Sequence, residues 1–376
     1  MKKIFLDYNS TTPVSEEVLG VMLPFFTEKY GNPSSTHSFG QEALHAVNKA
    51  RLQVSTLIGA KVDEIIFTSG GTESNNLAIS GIARLNKTGK NHIITSSVEH
   101  SSVHNQCKQM EEEGFNVTYL PVDRNGLISI KDLKDSITDN TFLISIILAN
   151  NETGTIQNIR EISEIATEKY IPTHTDAVQA VGKIPVSIED LGVDMLSLSG
   201  HKIYGPKGVG ALFVTRGLHL LPLLHGGGQE RKKRSGTENV PGIVGLGKAC
   251  ELSESYLDKN IKCLKLKRDR LEQGILSCIP FAKINGESTE RTPNTTNISF
   301  SGMESETLIV KLAFNGIAVS SGSACGAASR EASRTLSAMG LPAKELYSSL
   351  RFSIGKHTTD EEIDYTINVL TKICLK

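Results

Sequence analysis

Between residues 64 and 214, short apolar runs alternate with helical patterns. That alternation constrains the fold more than any other feature of the chain. Strand-like runs fall at 64–68, 92–96, 116–120, 141–148, 172–175, 193–198 and 209–214, with helical patterns at about 73–86, 100–113, 129–137 and 159–169 between the earlier ones. Strands that alternate with helices predict an α/β fold with a mostly parallel seven-stranded sheet covered on both faces. In such sheets ligands bind beyond the carboxyl ends of the strands. Chemistry is therefore expected in the loops that leave the strands.

The flanks complete the architecture. A helix is predicted from about Ser15, with Ser15 as its cap and Glu16 and Glu17 in the first turn, and another from about Phe39 to Ile58. A long helix over about 241–275 leads into a smaller α/β region, with strands near 297–300, 317–319 and 350–354 and helices near 304–315 and 359–373. The expected division is a large domain over 14–256 and a small domain made of 1–13 and 257–376. A net charge of -1 gives no reason to expect nucleic acid or a membrane surface as partner. The basic run Arg231–Arg234 is flanked by Gly228 and Gly236 and reads as a loop. There is no apolar run of transmembrane length, and Asp7 arrives too early for a signal peptide. The six cysteines show no metal-ligand spacing, so a reduced, cytoplasmic protein without a metal site is expected.

The strand ends carry the chemistry. Lys202, in Ser199-Gly200-His201-Lys202, follows an apolar strand and precedes a turn-rich connection, a suitable place for an amine that forms a Schiff base. Gly70-Gly71-Thr72 opens a helix after a strand, a ready anion site. His100 could stack on a flat ligand. Asp176 could pair with a protonated ring nitrogen, and Asn151 could donate to a phenolate or carboxylate. Taken singly, each also reads as an ordinary turn, cap or helix-start residue. Together they are the parts a pyridoxal phosphate enzyme needs. No G-x-G-x-x-G follows the first strand, which argues against a nicotinamide-binding domain.

A series of motifs stands in order along the chain: Asn9–Pro13, Gly31–Ser35, Thr72–Asn76, Glu99-His100, Ala149–Gly154, His174–Gln179, Ser199–Gly208, Arg234–Thr237 and Ser321–Cys325. In these the chain closely resembles the cysteine desulfurases of the NifS/IscS type, class V aminotransferases among the fold type I pyridoxal phosphate enzymes. The resemblance implies that Lys202 binds pyridoxal 5'-phosphate as a Schiff base and moves the substrate proton. It implies that Gly71, Thr72, Ser199 and His201 hold the phosphate, and that Asp176 pairs with the ring nitrogen. Gln179 would touch the phenolic oxygen, and His100 would stack on the ring and serve as acid or base. Arg351 would take the substrate carboxylate, assisted by Asn32 and Asn151. Thr237 would reach the phosphate of a partner subunit, which makes the enzyme a homodimer with shared sites. The implied reaction converts L-cysteine to L-alanine and leaves a persulfide on Cys325, passed on to a sulfur acceptor or iron–sulfur scaffold protein.

Cys325 lies in a Ser/Gly/Ala-rich loop at about 320–333, a composition that suits a thiol that must move. Cys107, Cys250, Cys263 and Cys278 read instead as small apolar residues, and Cys374 as an incidental terminal thiol. The sequence departs from the family where Gly326-Ala327 replaces a common Thr-Ser, where Arg330-Glu331-Ala332 replaces Leu-Glu-Pro, and at Tyr8 and Ser10. The tail after the last helix is also short for members that dock on an assembly scaffold. These differences bear on loop motion and partner choice. The alternatives within the fold are a selenocysteine lyase or another class V aminotransferase activity; outside it, a catalytically idle binding protein.

Overall fold

The computed structural model describes residues 3–86, 89–322 and 332–375. The chain opens with β1 (Ile4–Phe5), α1 (Glu16–Met22), α2 (Pro24–Thr27) and α3 (Ser38–Ile58). Ser15 caps α1, its side chain accepting from the Val18 N–H. The alternating section follows as β2 (Ile65–Thr68), α4 (Gly71–Leu85), β3 (His92–Ser96), α5 (Ser101–Glu112), β4 (Asn116–Leu120), α6 (Ile130–Ser136), β5 (Thr141–Ile147), α7 (Ile159–Glu168), β6 (Thr173–Asp176), α8 (Ile188–Leu191), β7 (Met195–Ser199) and β8 (Gly210–Val214).

These seven strands form one sheet in the order β2-β8-β7-β6-β5-β3-β4. β8 runs antiparallel to both of its neighbours, and the other pairings are parallel. The reversal at β8 has a simple cause. Only the turn-rich stretch 200–209 separates β7 from β8, too little chain for the helical crossover that a parallel partner needs. β5, β6, β7 and β8 are buried at every position, as expected of strands covered on both faces.

α9 (Val240–Cys278) extends the expected helix at both ends. Its first half contributes Val240, Ile243, Leu246 and Ala249 to the core of the large sheet. Its second half contributes Leu264, Leu271 and Ile275 to another core, shared with Ile4, Leu6, Phe300, Leu350 and Phe352. Close packing of α9 on α3 requires Gly247, because a Cβ there would lie 2.6 Å from the Ala50 Cα.

The remaining elements are β9 (Ala282–Ile284), β10 (Thr295–Phe300), α10 (Ser305–Phe314), β11 (Ile317–Ala318), α11 (Arg334–Ala338), α12 (Ala343–Leu346), β12 (Ser349–Ser353) and α13 (Asp360–Cys374). β12, β10 and β9 form an antiparallel sheet. β1 pairs in parallel with β11, so the first residues of the chain join a strand more than 300 positions away. The short β9, α11 and α12 lacked a periodic signal long enough to read from sequence.

Candidate active site

The carboxyl ends of the central strands open onto a cavity of about 210 Å³. Ten of the residues singled out from sequence line it: Gly71, Thr72, His100, Asn151, Asp176, Gln179, Ser199, His201, Lys202 and Arg351. Asn32 and Thr237 do not. Both are exposed, and Asn32 turns its side-chain oxygen to the Ser34 N–H at 2.9 Å. Cys325 lies outside the described residues.

Each wall of the cavity follows from local chain geometry. α4 starts at Gly71, and its first-turn N–H groups have no partner within the helix. A Cβ on Gly71 would come within 2.7 Å of the Val178 Cγ2, so glycine keeps the cavity open between helix and sheet. Asp176 ends β6 and is 3% exposed. Its Oδ2 accepts from Asn75 Nδ2 at 2.7 Å and its Oδ1 from the Val178 N–H at 3.0 Å. A carboxylate offers about four acceptor positions, so room remains for a further donor from the cavity.

His100 caps α5. Its Nδ1 accepts from the Ser102 N–H at 3.2 Å and lies 2.7 Å from the Ser102 Oγ. With Nδ1 accepting, a neutral ring carries its proton on Nε2. Ser102 Oγ in turn accepts from Asn75 Nδ2 at 2.8 Å. A continuous chain of contacts therefore runs from His100 through Ser102 and Asn75 to Asp176. Asn75 and Ser102 were not singled out from sequence, although Asn75 stood inside the Thr72–Asn76 motif.

Lys202 closes the short turn after β7. Its Nζ donates to the backbone oxygens of Asn9 at 2.6 Å and Ser10 at 2.8 Å. His201 pairs through Nδ1 with Thr11 Oγ1 at 3.1 Å. Burial, and then the charges of Lys202, Lys207 and Lys183, push the His201 pKa down to about 4, so its ring is neutral at neutral pH. Arg351 is 1% exposed. It donates from Nη2 to Asp7 Oδ1 at 2.7 Å and from Nη1 to the Asn151 backbone oxygen at 3.1 Å. Its Nε is buried without a partner, a donor left for a bound anion.

Glu99, beside His100, is buried, and its Oε1 accepts from Ser96 Oγ at 2.6 Å and from the Ile147 N–H at 2.9 Å. Burial above all, with Asp176 adding repulsion, raises its pKa to about 8. At one edge of the sheet the loop before α9 is fastened by a buried bidentate pair, Arg51 with Glu230, at 2.6 and 2.7 Å. Glu230 Oε2 also accepts from the Phe67 N–H at 2.9 Å. The pair holds Glu230, Arg231 and Lys232 in three consecutive left-handed conformations, with φ of 44°, 56° and 63°.

The residues fit pyridoxal phosphate on the chemistry of the donor set: a glycine-opened helix start, a buried acid with spare acceptor capacity and a fixed amine all face one cavity. Comparison with known proteins agrees. The profile of the family described as aminotransferase class-V matches residues 4–366. "Cysteine desulfurase IscS" of Clostridium botulinum is 50% identical over 374 residues, covering 99% of this chain and 94% of its own. The protein of the same name from Methanosarcina thermophila is 50% identical over 375 residues, covering 100% and 93%. Among solved structures, a "NifS-like protein" superposes with a TM-score of 0.93 at 39% identity over 99% of both chains. "SspA in complex with cysteine" gives a TM-score of 0.84 at 39% identity, covering 95% and 100%.

Proposed function

This chain belongs to the aminotransferase class-V family and is a pyridoxal-phosphate-dependent cysteine desulfurase, and from that premise we propose that L-cysteine is desulfurated in the cavity around Lys202 with Cys325 as sulfur acceptor. Gly71, Thr72, Ser199 and His201 would hold the cofactor phosphate, helped by the start of α4. Asp176 would accept from the ring N–H, Gln179 would donate to the phenolic oxygen and His100 would lie against the ring. The cofactor, once bound, supplies an electron sink for the substrate Cα. Arg351 binds the substrate carboxylate through donors that Asp7 and Asn151 leave open, and Asn151 and Asn32 assist. Lys202 takes the Cα proton and returns a proton to the product.

The Cys325 thiolate attacks the substrate sulfur. The bond between that sulfur and the substrate Cβ breaks, its electron pair goes to carbon, and a new S–S bond leaves a persulfide on Cys325. Protonation at carbon releases L-alanine. The persulfide sulfur then passes to an acceptor, an iron–sulfur scaffold protein among the candidates. The active form is a cytoplasmic homodimer in which Thr237 reaches the partner's phosphate; Leu23, Phe26 and Tyr30 are exposed apolar side chains of the kind a partner covers. Residues 14–256 act as the large unit, and 1–13 with 257–376 as the small one.

The observation that carries this reading is that Lys202, Asp176 and Arg351 converge on one cavity while His100 is tied to Asp176 through Ser102 and Asn75. The test is alanine and sulfide release from L-cysteine in the presence of a reductant, for the intact protein and for Cys325→Ala. Release that vanishes in the variant is expected. Release that persists would assign sulfur capture to another thiol. No release from either protein would move the activity to selenocysteine or another amino donor.

A further inference from the structure

Gln179 is a donor to the cofactor's phenolic oxygen only if its amide presents nitrogen rather than oxygen. The two ends of an amide are nearly equal in size, so shape alone does not choose between them. Two residues that the reaction above leaves unused, Lys183 and Asn9, make the choice. Lys183 lies in the turn after β6 and is 7% exposed. Its Nζ donates to Gln179 Oε1, and to Asn9 Oδ1 at 3.1 Å. Burial, followed by the charges of Lys202 and Arg351, drives this amine well below its ordinary range. An amine that has given up its third proton keeps two N–H bonds, and the two oxygens take both.

Gln179 Nε2 donates one of its own two N–H bonds to the Asn9 backbone oxygen at 2.9 Å. A flipped amide would set oxygen against that carbonyl oxygen and take the acceptor away from Lys183. In the observed orientation the second N–H is left for the cavity that Gln179 lines. Asn9 is itself fixed. It is 2% exposed, and both ends of its amide are filled. Its Oδ1 accepts from Lys183 and from Asn294 Nδ2 at 3.0 Å. Its Nδ2 donates to Thr295 Oγ1 at 2.9 Å and to the Asn151 backbone oxygen at 3.1 Å. Its N–H donates to Ser353 Oγ at 2.9 Å. The start of β10 and the end of β12 therefore hold the residue that holds Gln179.

We propose that Lys183 and Asn9 are positioning residues that together lock the Gln179 amide in the one orientation that leaves an N–H for the cofactor's phenolic oxygen. Lys183 acts as a hydrogen-bond donor and through Gln179. The inference deepens the function proposed above, and it rests on the cofactor being carried by Lys202 with its phenolic oxygen at Gln179.

The experiment is an absorbance titration of the bound chromophore against pH in the holoenzyme, in Lys183→Met, in Gln179→Ala and in the double variant. Borohydride reduction and peptide mapping locate the cofactor in each. A donor on the phenolic oxygen favours its anion and weakens the neighbouring nitrogen's hold on its proton. Gln179→Ala removes the donor, so the midpoint is expected to rise by about one pH unit. Lys183→Met leaves only the Asn9 contact to orient the amide and is expected to raise it by about half as much. The double variant should rise no further than Gln179→Ala alone, because Lys183 then has no amide to act through. Lys183→Gln is one bond shorter than lysine and leaves Asn9 a polar neighbour, so it repeats the test if the Met variant does not fold. An unmoved midpoint in Lys183→Met would overturn the inference. So would an undiminished further rise in the Gln179→Ala background, since Lys183 would then be acting by its charge. An unmoved midpoint in Gln179→Ala, or an adduct on a residue other than Lys202, would overturn the reading of the site and the inference with it.

Discussion

Replacing Glu99 with glutamine should make the protein less sensitive to rising pH, and the size of the effect can be worked out. Glu99 has one oxygen engaged by Ser96 and the Ile147 N–H and the other buried without a partner, the pattern of a neutral carboxyl group. Its pKa rises from an ordinary 4.5 to about 8 in the fold. The folded state then holds a proton that the unfolded chain releases above pH 4.5. The stabilisation is complete below that pH and is lost as the pH climbs toward 8. Each pH unit inside this window costs about 1.4 kcal/mol, so a rise from pH 5.5 to 7.5 removes on the order of 3 kcal/mol. Glutamine has nearly the same shape and no proton to lose. In urea unfolding followed at pH 5.5 and 7.5, the intact protein should lose about that much more stability than Glu99→Gln. Equal losses in the two proteins would show that Glu99 is already ionised.

Three further outcomes are expected. Glu230→Ala should destabilise the protein by about 3–5 kcal/mol, because it strands the buried Arg51 charge; a urea midpoint unchanged from the intact protein would contradict this. Arg351→Lys should raise the KM for L-cysteine about 10- to 100-fold, since an ammonium lacks the planar fork whose separate nitrogens meet Asp7 and the Asn151 oxygen and still present a donor to a carboxylate; steady-state kinetics decide it, and an unchanged KM would take Arg351 out of substrate binding. Alkylation with iodoacetamide at neutral pH should modify Cys325 first and Cys107 and Cys250 last, because burial pushes the Cys107 thiol up to about 12 and the Cys250 thiol up as well. Mass spectrometry showing Cys263 or Cys278, both exposed, modified ahead of Cys325 would count against an activated thiol there.

What the sequence made legible was what local patterning controls. Ser15 caps α1, and the seven strands of the large sheet appear within a few residues of the apolar runs that announced them. Asp176 and Lys202 could be placed at strand ends because the strands themselves could be placed. What stayed hidden depended on contacts between distant positions. Lys183 resembles any lysine in a turn until Asn9 is seen to meet it from 174 residues away. Ser102 matters through Asn75 and His100, and a single-residue signal cannot show that. The exposure of Asn32 and Thr237 has the same origin, since a motif names a residue without saying which surface completes its surroundings.

The pairing of the chain's first residues with its last strands also constrains how the enzyme is made. Asp7 meets Arg351 across 344 positions, and the Asn9 N–H meets Ser353 Oγ across the same span. At translation rates of about 5–20 residues per second, the N-terminal segment emerges roughly 20–70 s before its partners exist. During that interval the nascent chain can complete its large sheet, but it lacks the guanidinium of Arg351. Chains that stall or are cleaved before residue 351 would therefore be unable to capture cysteine through this residue, which would keep unfinished copies from releasing sulfide.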